Sequence, residues 1–146
     1  MDLKFEIREI DIKDFNKGYL DLLSQLTSVE NNLDDIDLVN TFNNIKNNDY
    51  HKIFVIETNN KIIGTVTILI ELKFTRNLGK VCHIEDLVVS NNFRSKGFGK
   101  KLLNFVIDYS KKINCYKIIL NCNDNNKGYY EKIGFENKNN EMSLYL

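Results

Sequence analysis

Four segments in the first two thirds of the chain have the apolar and β-branched content and the alternation that are typical of strands. They are residues 3–9, 53–57, 61–72 and 80–89. Asn59-Asn60 is a tight-turn sequence, so the second and third segments are predicted to form a hairpin, with a possible bulge at Gly64. A loop over residues 73–79 leads into the fourth segment. The second, third and fourth segments together predict an antiparallel meander.

Apolar residues at helical spacing predict the helices, whose starts are marked by capping residues and glycines. The predicted helices run from Asp11 to about Val29, from Asp34 or Asp35 to the polar cluster at residues 47–49, from Gly97 to about Ile113, and over residues 125–132. A buried strand over residues 115–122 follows the third helix, so strands 80–89 and 115–122 are predicted to be parallel neighbours. With a last strand over residues 142–146, the order β-α-α-β-β-β-α-β-α-β predicts an α+β fold with a mixed, mostly antiparallel sheet.

Composition narrows the class of protein. The length of 146 residues predicts one domain, residues 1–146. With 20 basic and 20 acidic residues, the chain has no net charge that would attract nucleic acid or an anionic membrane. No apolar run approaches the ~18 residues of a membrane span, and the start lacks the apolar core of a signal peptide. Three cysteines without a Cys-x-x-Cys pair favour buried thiols in a reducing cytoplasm over disulfides or a metal site.

Two adjacent carboxylates, Glu85 and Asp86, interrupt the otherwise apolar strand 80–89. Side chains alternate across a strand, so both can face water only if the strand is exposed on both faces or locally bulged. Gly97 and Gly99 follow at the start of a helix, where free N–H groups and the helix dipole favour a phosphate. This combination suggests a phosphorylated cofactor beside a cationic or amine substrate.

The glycine loop over residues 94–99 lacks the spacing of a P-loop, and Leu102 replaces the third glycine of a dinucleotide-binding fingerprint. It matches Arg/Gln-x-x-Gly-x-Gly/Ala, the pyrophosphate loop of the GNAT-type acyl-CoA N-acyltransferases. A second element, Tyr-Glu-Lys-Ile-Gly-Phe at residues 130–135, resembles the Tyr-Glu-x-x-Gly-Phe element of the same superfamily. The chain therefore resembles this superfamily.

Longer strings are similar to the glucosamine-6-phosphate N-acetyltransferase family within it, from Phe5 to Tyr145. They are Leu-Ser-Gln-Leu-Thr at 23–27, His-Ile-Glu-Asp at 83–86, Cys-Tyr-Lys-Ile-Ile-Leu at 115–120 and the string at 130–135. The resemblance implies a GNAT fold with a splayed parallel strand pair, acetyl-CoA as co-substrate, no metal, and a homodimer. It also implies direct acetyl transfer to the amine of glucosamine 6-phosphate, in the synthesis of UDP-N-acetylglucosamine.

The resemblance further implies roles for individual residues. Tyr130 would protonate the leaving thiolate, and the N–H of Leu87 would meet the thioester oxygen. Glu85 and Asp86 would orient the amine and the sugar hydroxyls. The expected acetyl-CoA contacts are Leu87, Val88, Val89, Arg94, Ser95, Lys96, Gly97, Phe98, Gly99, Lys100, Asn126 and Tyr130. The expected acceptor contacts are Thr27, Lys73, Arg76, Glu85, Asp86, Tyr116, Lys117 and Asn121.

Two positions depart from the pattern of that family. Asn121 stands where members commonly have an aspartate that contacts the amine, and an amide cannot take a proton or neutralise an ammonium. Tyr145 lies near the position of a C-terminal arginine that some members donate to the partner subunit's phosphate site. Both departures concern the acceptor site rather than the acetyl-CoA site.

Simpler interpretations of some of these residues stay open. Glu85 and Asp86 would also suit a salt bridge on an edge strand. His83 suits a hydrogen-bonded core histidine better than a general base, and Cys122 suits packing better than a covalent intermediate.

Two other functions also stay open. One is a GNAT enzyme for another amine, such as an amino acid, a polyamine or a protein N-terminus. The other is a non-catalytic acetyl-CoA-binding module. The cations Lys73, Arg76 and Lys117 favour an anionic acceptor, and the presence of Tyr130 argues against a non-catalytic module.

Overall fold

The computed structural model describes residues 3–30 and 32–146, so that Met1, Asp2 and Asn31 of the predicted domain lie outside the described residues. Its strands are β1 (Glu6–Glu9), β2 (His51–Thr58), β3 (Lys61–Leu72), β4 (Lys80–Val89) and β5 (Cys115–Leu120). They form one sheet in the order β1-β2-β3-β4-β5. The first three pairings are antiparallel and β4 pairs with β5 in parallel, which confirms the predicted mixed α+β sheet.

Five helices and three 3-10 turns connect the strands within the described residues. The helices are α1 (Tyr19–Leu23), α2 (Asp35–Lys46), the short turn α3 (Thr75–Leu78), α4 (Phe98–Lys112) and α5 (Lys127–Glu131). The 3-10 turns are Ile12–Lys17, Asn91–Phe93 and Asp124–Asn126. None of the helices in this part of the chain has both the length and the apolar content that a membrane crossing requires.

The single helix predicted from Asp11 to Val29 is wrong. Asp11 does cap a helical segment, accepting a hydrogen bond from the N–H of Lys13 at 2.9 Å, but that segment is a 3-10 turn. Gly18 then adopts a φ of 86°, which a right-handed helix cannot contain. The chain restarts as α1 and continues in turns to Thr27.

The strand predicted over residues 142–146 is also wrong. Residues 136–146 contain no helix or strand, and Tyr145 is 95% exposed. A strand needs a hydrogen-bonding partner, and none of the described residues supplies one to this segment. The outer edge of β5 is therefore the edge of the sheet, and β5 ends at Leu120 rather than at the predicted Cys122.

Two apolar layers cover the two faces of the sheet. On one face, α4 packs Leu102 and Val106 against Ile84 of β4. On the other face, Tyr19 of α1 packs in a cluster with Val88 of β4. Because β4 has a buried residue in both layers, helices α1 and α4 fix the position of this strand from either side.

Candidate active site

The strand β4 is bulged at its adjacent carboxylates. Its neighbours Thr65 and Thr67 on β3 pair with Val88 and Glu85, so one residue of β3 spans two residues of β4. Asp86 takes a left-handed φ of 45°, as expected where an extra residue is inserted into a strand. Glu85 and Asp86 are both exposed, and the bulge explains how adjacent residues of one strand can both face water.

The parallel strands separate just before this bulge. Their last paired residues are Ile84 of β4 and Leu120 of β5, and β4 continues to Val89 paired with β3 but not with β5. Leu87 has no partner in the ladder on either side among the described strands. A strand edge with free N–H groups can pair with an extended ligand, so the gap is a candidate binding groove.

The turn after β4 prepares the start of α4 for an anion. Ser95 and Gly97 have left-handed φ values of 60° and 82°, and Gly97 is the N-cap of α4 without a side-chain cap. The first N–H groups of the helix are therefore without a capping side chain, and the dipole of the 15-residue α4 adds positive potential there. Two nearby cations are tied to backbone: Arg94 Nε donates to the Val89 carbonyl and Lys96 Nζ to the Asn92 carbonyl, each at 3.1 Å.

Tyr130 lies on α5 beyond the separated end of β5. Its ring packs edge-on against Phe135 and Tyr129, with centroids 5.9 and 5.2 Å away. Burial raises the pKa of the Tyr130 hydroxyl above its ordinary value, and the neighbouring Cys122 and Tyr129 act in the same direction. The phenol is therefore protonated at neutral pH and suited to donate a proton.

A cavity of about 900 Å³ lies beside β5 and α5. It brings together several predicted site residues, namely Tyr116, Lys117, Asn121 and Tyr130. Glu85, Asp86 and the loop over residues 94–100 are not part of its lining. The structure thus has an unpaired stretch of β4 at the bulge and a cavity along β5, with Tyr130 lining the latter.

The predicted phosphate-binding cations differ in their surroundings. Arg76 and Lys117 lie over the ring of Tyr116, with Cζ and Nζ at 5.6 and 5.8 Å from its centroid. Neither forms an ion pair within the described part of the chain. Lys73, in contrast, donates to Glu71 Oε1 at 2.5 Å, which neutralises its charge.

The expected core position of His83 is wrong, because its side chain is 30% exposed and its Nε2 lies 2.8 Å from Glu71 Oε2. Asn126 precedes α5 without capping it, whereas Asn123 caps the preceding turn by accepting from the N–H of Asn126. Thr27 is exposed at the end of the turns that follow α1.

Comparison with known proteins identifies the family. The model of the Acetyltransferase (GNAT) family matches residues 6–135. This chain belongs to the GNAT acetyltransferase family. It is 46% identical over 145 residues to the glucosamine 6-phosphate N-acetyltransferase of Arabidopsis thaliana, which covers 97% of both chains. It is 41% identical over 142 residues to glucosamine 6-phosphate N-acetyltransferase 1 of Dictyostelium discoideum, covering 95% of this chain and 89% of that one.

Solved structures agree with this assignment. The crystal structure of the Arabidopsis thaliana enzyme has a TM-score of 0.91 at 44% identity, covering 97% of this chain and 98% of that one. A predicted acetyltransferase with acetyl-CoA from Clostridium acetobutylicum has a TM-score of 0.73 at 25% identity, covering 97% and 96%. The separated strands, the bulge and the glycine turn therefore belong to a chain with the fold of the GNAT family.

Acetyl-CoA fits two features of this GNAT chain. The helix start at Gly97 offers N–H groups without a side-chain cap, which suits a pyrophosphate. The unpaired β4 edge at Leu87 suits the amide groups of the pantetheine arm. Among the described residues there is no cluster of three or more His, Cys, Asp or Glu side chains that could hold a metal ion.

Tyr129 is a residue of this region that no sequence motif marked. A Cβ built on Gly99, in the first turn of α4, would lie 2.8 Å from Tyr129 Oη. The next ring atom, Cζ, would lie at 3.7 Å, which is an ordinary contact. The hydroxyl of Tyr129 is therefore the atom that a side chain at position 99 would meet first.

Gly99→Ala is expected to lower the free energy of unfolding by about 1 kcal/mol, because the added methyl overpacks against Tyr129 Oη. In the background of Tyr129→Phe the same change is expected to be neutral or stabilising by up to about 1 kcal/mol, since alanine favours a helix over glycine. Urea unfolding of the four chains measures this cycle. An equal loss in both backgrounds would show that the hydroxyl is not the obstacle.

Proposed function

We propose that this chain is a single-domain enzyme that transfers the acetyl group of acetyl-CoA to the amine of glucosamine 6-phosphate. The products are N-acetylglucosamine 6-phosphate and CoA, on the route to UDP-N-acetylglucosamine. The observation that carries the proposal is the 46% identity, over 97% of both chains, to a glucosamine 6-phosphate N-acetyltransferase. Two cations beside Tyr116, Arg76 and Lys117, form no ion pair among the described residues and support an anionic acceptor.

The donor site in this proposal follows the bulge and the glycine turn. The pantetheine arm would lie along residues 87–89, and the pyrophosphate would meet the N–H groups and side chains of residues 94–100. Asn126 and Tyr130 would complete the contacts from α5. Bound there, acetyl-CoA supplies the activated acetyl thioester.

The chain's own residues would orient the acceptor, polarise the thioester carbonyl and protonate the leaving sulfur. Leu87, which has no partner in either ladder, would donate its N–H to the oxygen that gains charge during transfer. Glu85 and Asp86 would accept hydrogen bonds from the amine and the sugar hydroxyls. Tyr130, kept protonated by burial, would donate its proton to the leaving sulfur, and the proton that the amine loses as the amide forms would replace it.

The acceptor site would lie between the bulge and the cavity along β5. Arg76 and Lys117 are the proposed phosphate ligands, whereas Lys73 is already neutralised by Glu71 and would contribute less. Asn121, a cavity residue, would accept a hydrogen bond from the amine. Thr27 and Tyr116 would contact the sugar from α1 and β5.

An assay of acetyl transfer to four amines distinguishes this function from its alternatives. We expect release of CoA thiol from acetyl-CoA with glucosamine 6-phosphate, and much less with glucosamine, spermidine or an N-terminal peptide. Faster turnover of one of the other amines would contradict the proposed substrate and leave the acetyltransferase activity. Binding of acetyl-CoA without turnover of any of the four would favour a binding module.

Arg76→Gln is expected to raise the KM for glucosamine 6-phosphate by roughly tenfold or more, because a hydrogen bond to a charged group contributes about 1.5–3 kcal/mol. The KM for acetyl-CoA should stay within about twofold, since the two ligands occupy different sites. Lys73→Gln is the matched control, and its effect should be several times smaller because Glu71 already holds that ammonium group. Steady-state kinetics measures both KM values. Equal effects of Arg76→Gln and Lys73→Gln on the KM for glucosamine 6-phosphate would contradict the assignment of Arg76 as a phosphate ligand.

We also infer that the enzyme is a cytoplasmic homodimer. The outer edge of β5 pairs with none of the described residues, and Met142, Leu144 and Leu146 alternate along the tail with their side chains exposed. A second copy would bury both the edge and these side chains. The three cysteines are free thiols, as a reducing compartment would keep them. Light scattering after gel filtration should give the mass of a dimer, and a monomer at all concentrations would contradict this inference.

A further inference from the structure

A side-chain contact joins the segment after α1 to the turn that leads into the glycine loop. Gln25 Oε1 accepts a hydrogen bond from the N–H of Asn91 at 2.9 Å, between residues that are 66 positions apart. Asn91 opens a 3-10 turn whose N-cap, Ser90, makes no side-chain cap bond. The first N–H groups of a helical turn need an acceptor, and Gln25 supplies one from another element.

Both ends of this contact are anchored in the core. Leu22 is 2% exposed, and the N–H of Gln25 donates to its carbonyl at 3.1 Å. At the other end, the N–H of the buried Ser90 donates to the Ile63 carbonyl of β3 at 2.8 Å. The Gln25 side chain therefore bridges two backbones that are each held in place, and a shift of one alters the bond to the other.

Each of the two bridged segments adjoins a residue that is proposed to bind one of the two substrates. Asn91–Phe93 runs directly into Arg94, the first residue of the proposed pyrophosphate loop. Thr27, a proposed acceptor contact, follows Gln25 by two residues in the same series of turns. The bond between Gln25 and Asn91 thus joins a segment that leads to the donor site to a segment that leads to the acceptor site.

We propose that Gln25 is a positioning residue that fixes the acetyl-CoA loop relative to α1 and thereby couples the binding of the two substrates. The identity of the two ligands rests on the proposed function, whereas the hydrogen bond between Gln25 and Asn91 is independent of it. Coupling between binding sites is reciprocal, so each ligand should tighten the binding of the other by the same factor.

Gln25→Met removes the acceptor at nearly constant side-chain length, and Gln25→Glu keeps an acceptor for the Asn91 N–H. Titration calorimetry with CoA alone should show a Kd raised about threefold to tenfold in Gln25→Met, the usual effect of losing one hydrogen bond. Gln25→Glu should stay within about twofold of the unchanged chain at physiological salt, where added charge is screened. Ser24→Ala is the control, because it removes a local bond to the Asp21 carbonyl and leaves Gln25 in place.

A second titration with CoA in the presence of saturating glucosamine 6-phosphate measures the coupling without turnover. The sugar phosphate should lower the Kd for CoA in the unchanged chain and in Gln25→Glu, and it should have no effect in Gln25→Met. An unchanged Kd for CoA in Gln25→Met, or an equal loss in the Glu and Met variants, would overturn the proposal. If the unchanged chain binds CoA but never acetylates the sugar phosphate, the proposed function fails, and the titrations with CoA alone still decide the role of Gln25.

Discussion

Tyr130→Phe is expected to lower kcat by roughly 10²–10⁴-fold, the usual contribution of a positioned general acid. The ring keeps its contacts with Phe135 and Tyr129, so the Kd for acetyl-CoA should change by less than about threefold. Steady-state kinetics at saturating substrates and calorimetry of acetyl-CoA binding measure the two quantities separately. Tyr109→Phe is a matched control, because Tyr109 is a residue of α4 whose ring packs on Phe54 of β2. Its kcat should be near that of the unchanged chain.

The pH profile gives an independent check on Tyr130. Because burial raises the pKa of its hydroxyl, the proton-donating form persists to a pH above the ordinary value, and kcat should fall only beyond it. That alkaline fall should be absent from Tyr130→Phe. A variant that loses affinity for acetyl-CoA but turns over normally once saturated would show that the tyrosine is structural.

Asp14→Asn is expected to lower the free energy of unfolding by about 3 kcal/mol, as removal of one partner from a buried ion pair does. The Asp14 side chain is completely buried, and each of its oxygens accepts a hydrogen bond from Arg8 at 2.7 Å. The N–H of Asp11 donates to it as well, at 2.8 Å. Arg8 also bonds to Glu57, which in turn binds Lys17 at 2.7 Å, so the change removes the buried centre of a charge network.

The pH dependence of stability follows from the same carboxylate. Burial raises the pKa of Asp14, but the hydrogen bonds from Arg8 and from the Asp11 N–H, together with the charges of Arg8 and Lys17, outweigh burial and hold the pKa below its ordinary value. Its stabilisation is therefore complete above the unfolded pKa of about 3.9 and is lost as the pH falls through the lower folded value. Hydrogen bonds from Lys17 and Arg8 lower the pKa of Glu57 in the same way, so both carboxylates lose their contributions in acid.

Urea unfolding between pH 7 and pH 2 tests this account of Asp14. The unchanged chain should lose stability steeply below about pH 4, and Asp14→Asn should start lower and decline less steeply there. Asp108→Asn, at an exposed position of α4, is the control and should change stability by less than about 0.5 kcal/mol. Parallel curves for the unchanged chain and Asp14→Asn would show that Asp14 is not a source of the acid sensitivity.

Where the fold agrees with the sequence, the responsible signals are local. Asn59 and Asn60 adopt φ values of 47° and 58°, the left-handed turn that an asparagine pair favours between two strands. Asp34 caps α2 by accepting from the N–H of Ile36 at 2.7 Å, and Gly97 precedes α4. Each of these outcomes depends on a few adjacent residues, which a sequence pattern contains.

Where the sequence was insufficient, the cause is a contact between distant residues or a missing partner. Gln25 bonds to a residue 66 positions away, a contact that no local pattern of residues encodes. The role of Tyr129 follows from its distance to Gly99, which no motif records. The tail strand predicted over residues 142–146 failed because apolar alternation indicates a strand without specifying the edge with which it pairs.

The central claim is tested most directly by identifying the product formed from acetyl-CoA and glucosamine 6-phosphate. Mass spectrometry of the sugar, alongside a thiol assay for CoA, should show one N-acetylglucosamine 6-phosphate for each CoA released, with little acetylation of unphosphorylated glucosamine. Release of CoA without an acetylated sugar phosphate, or equal acetylation of the two sugars, would contradict the account.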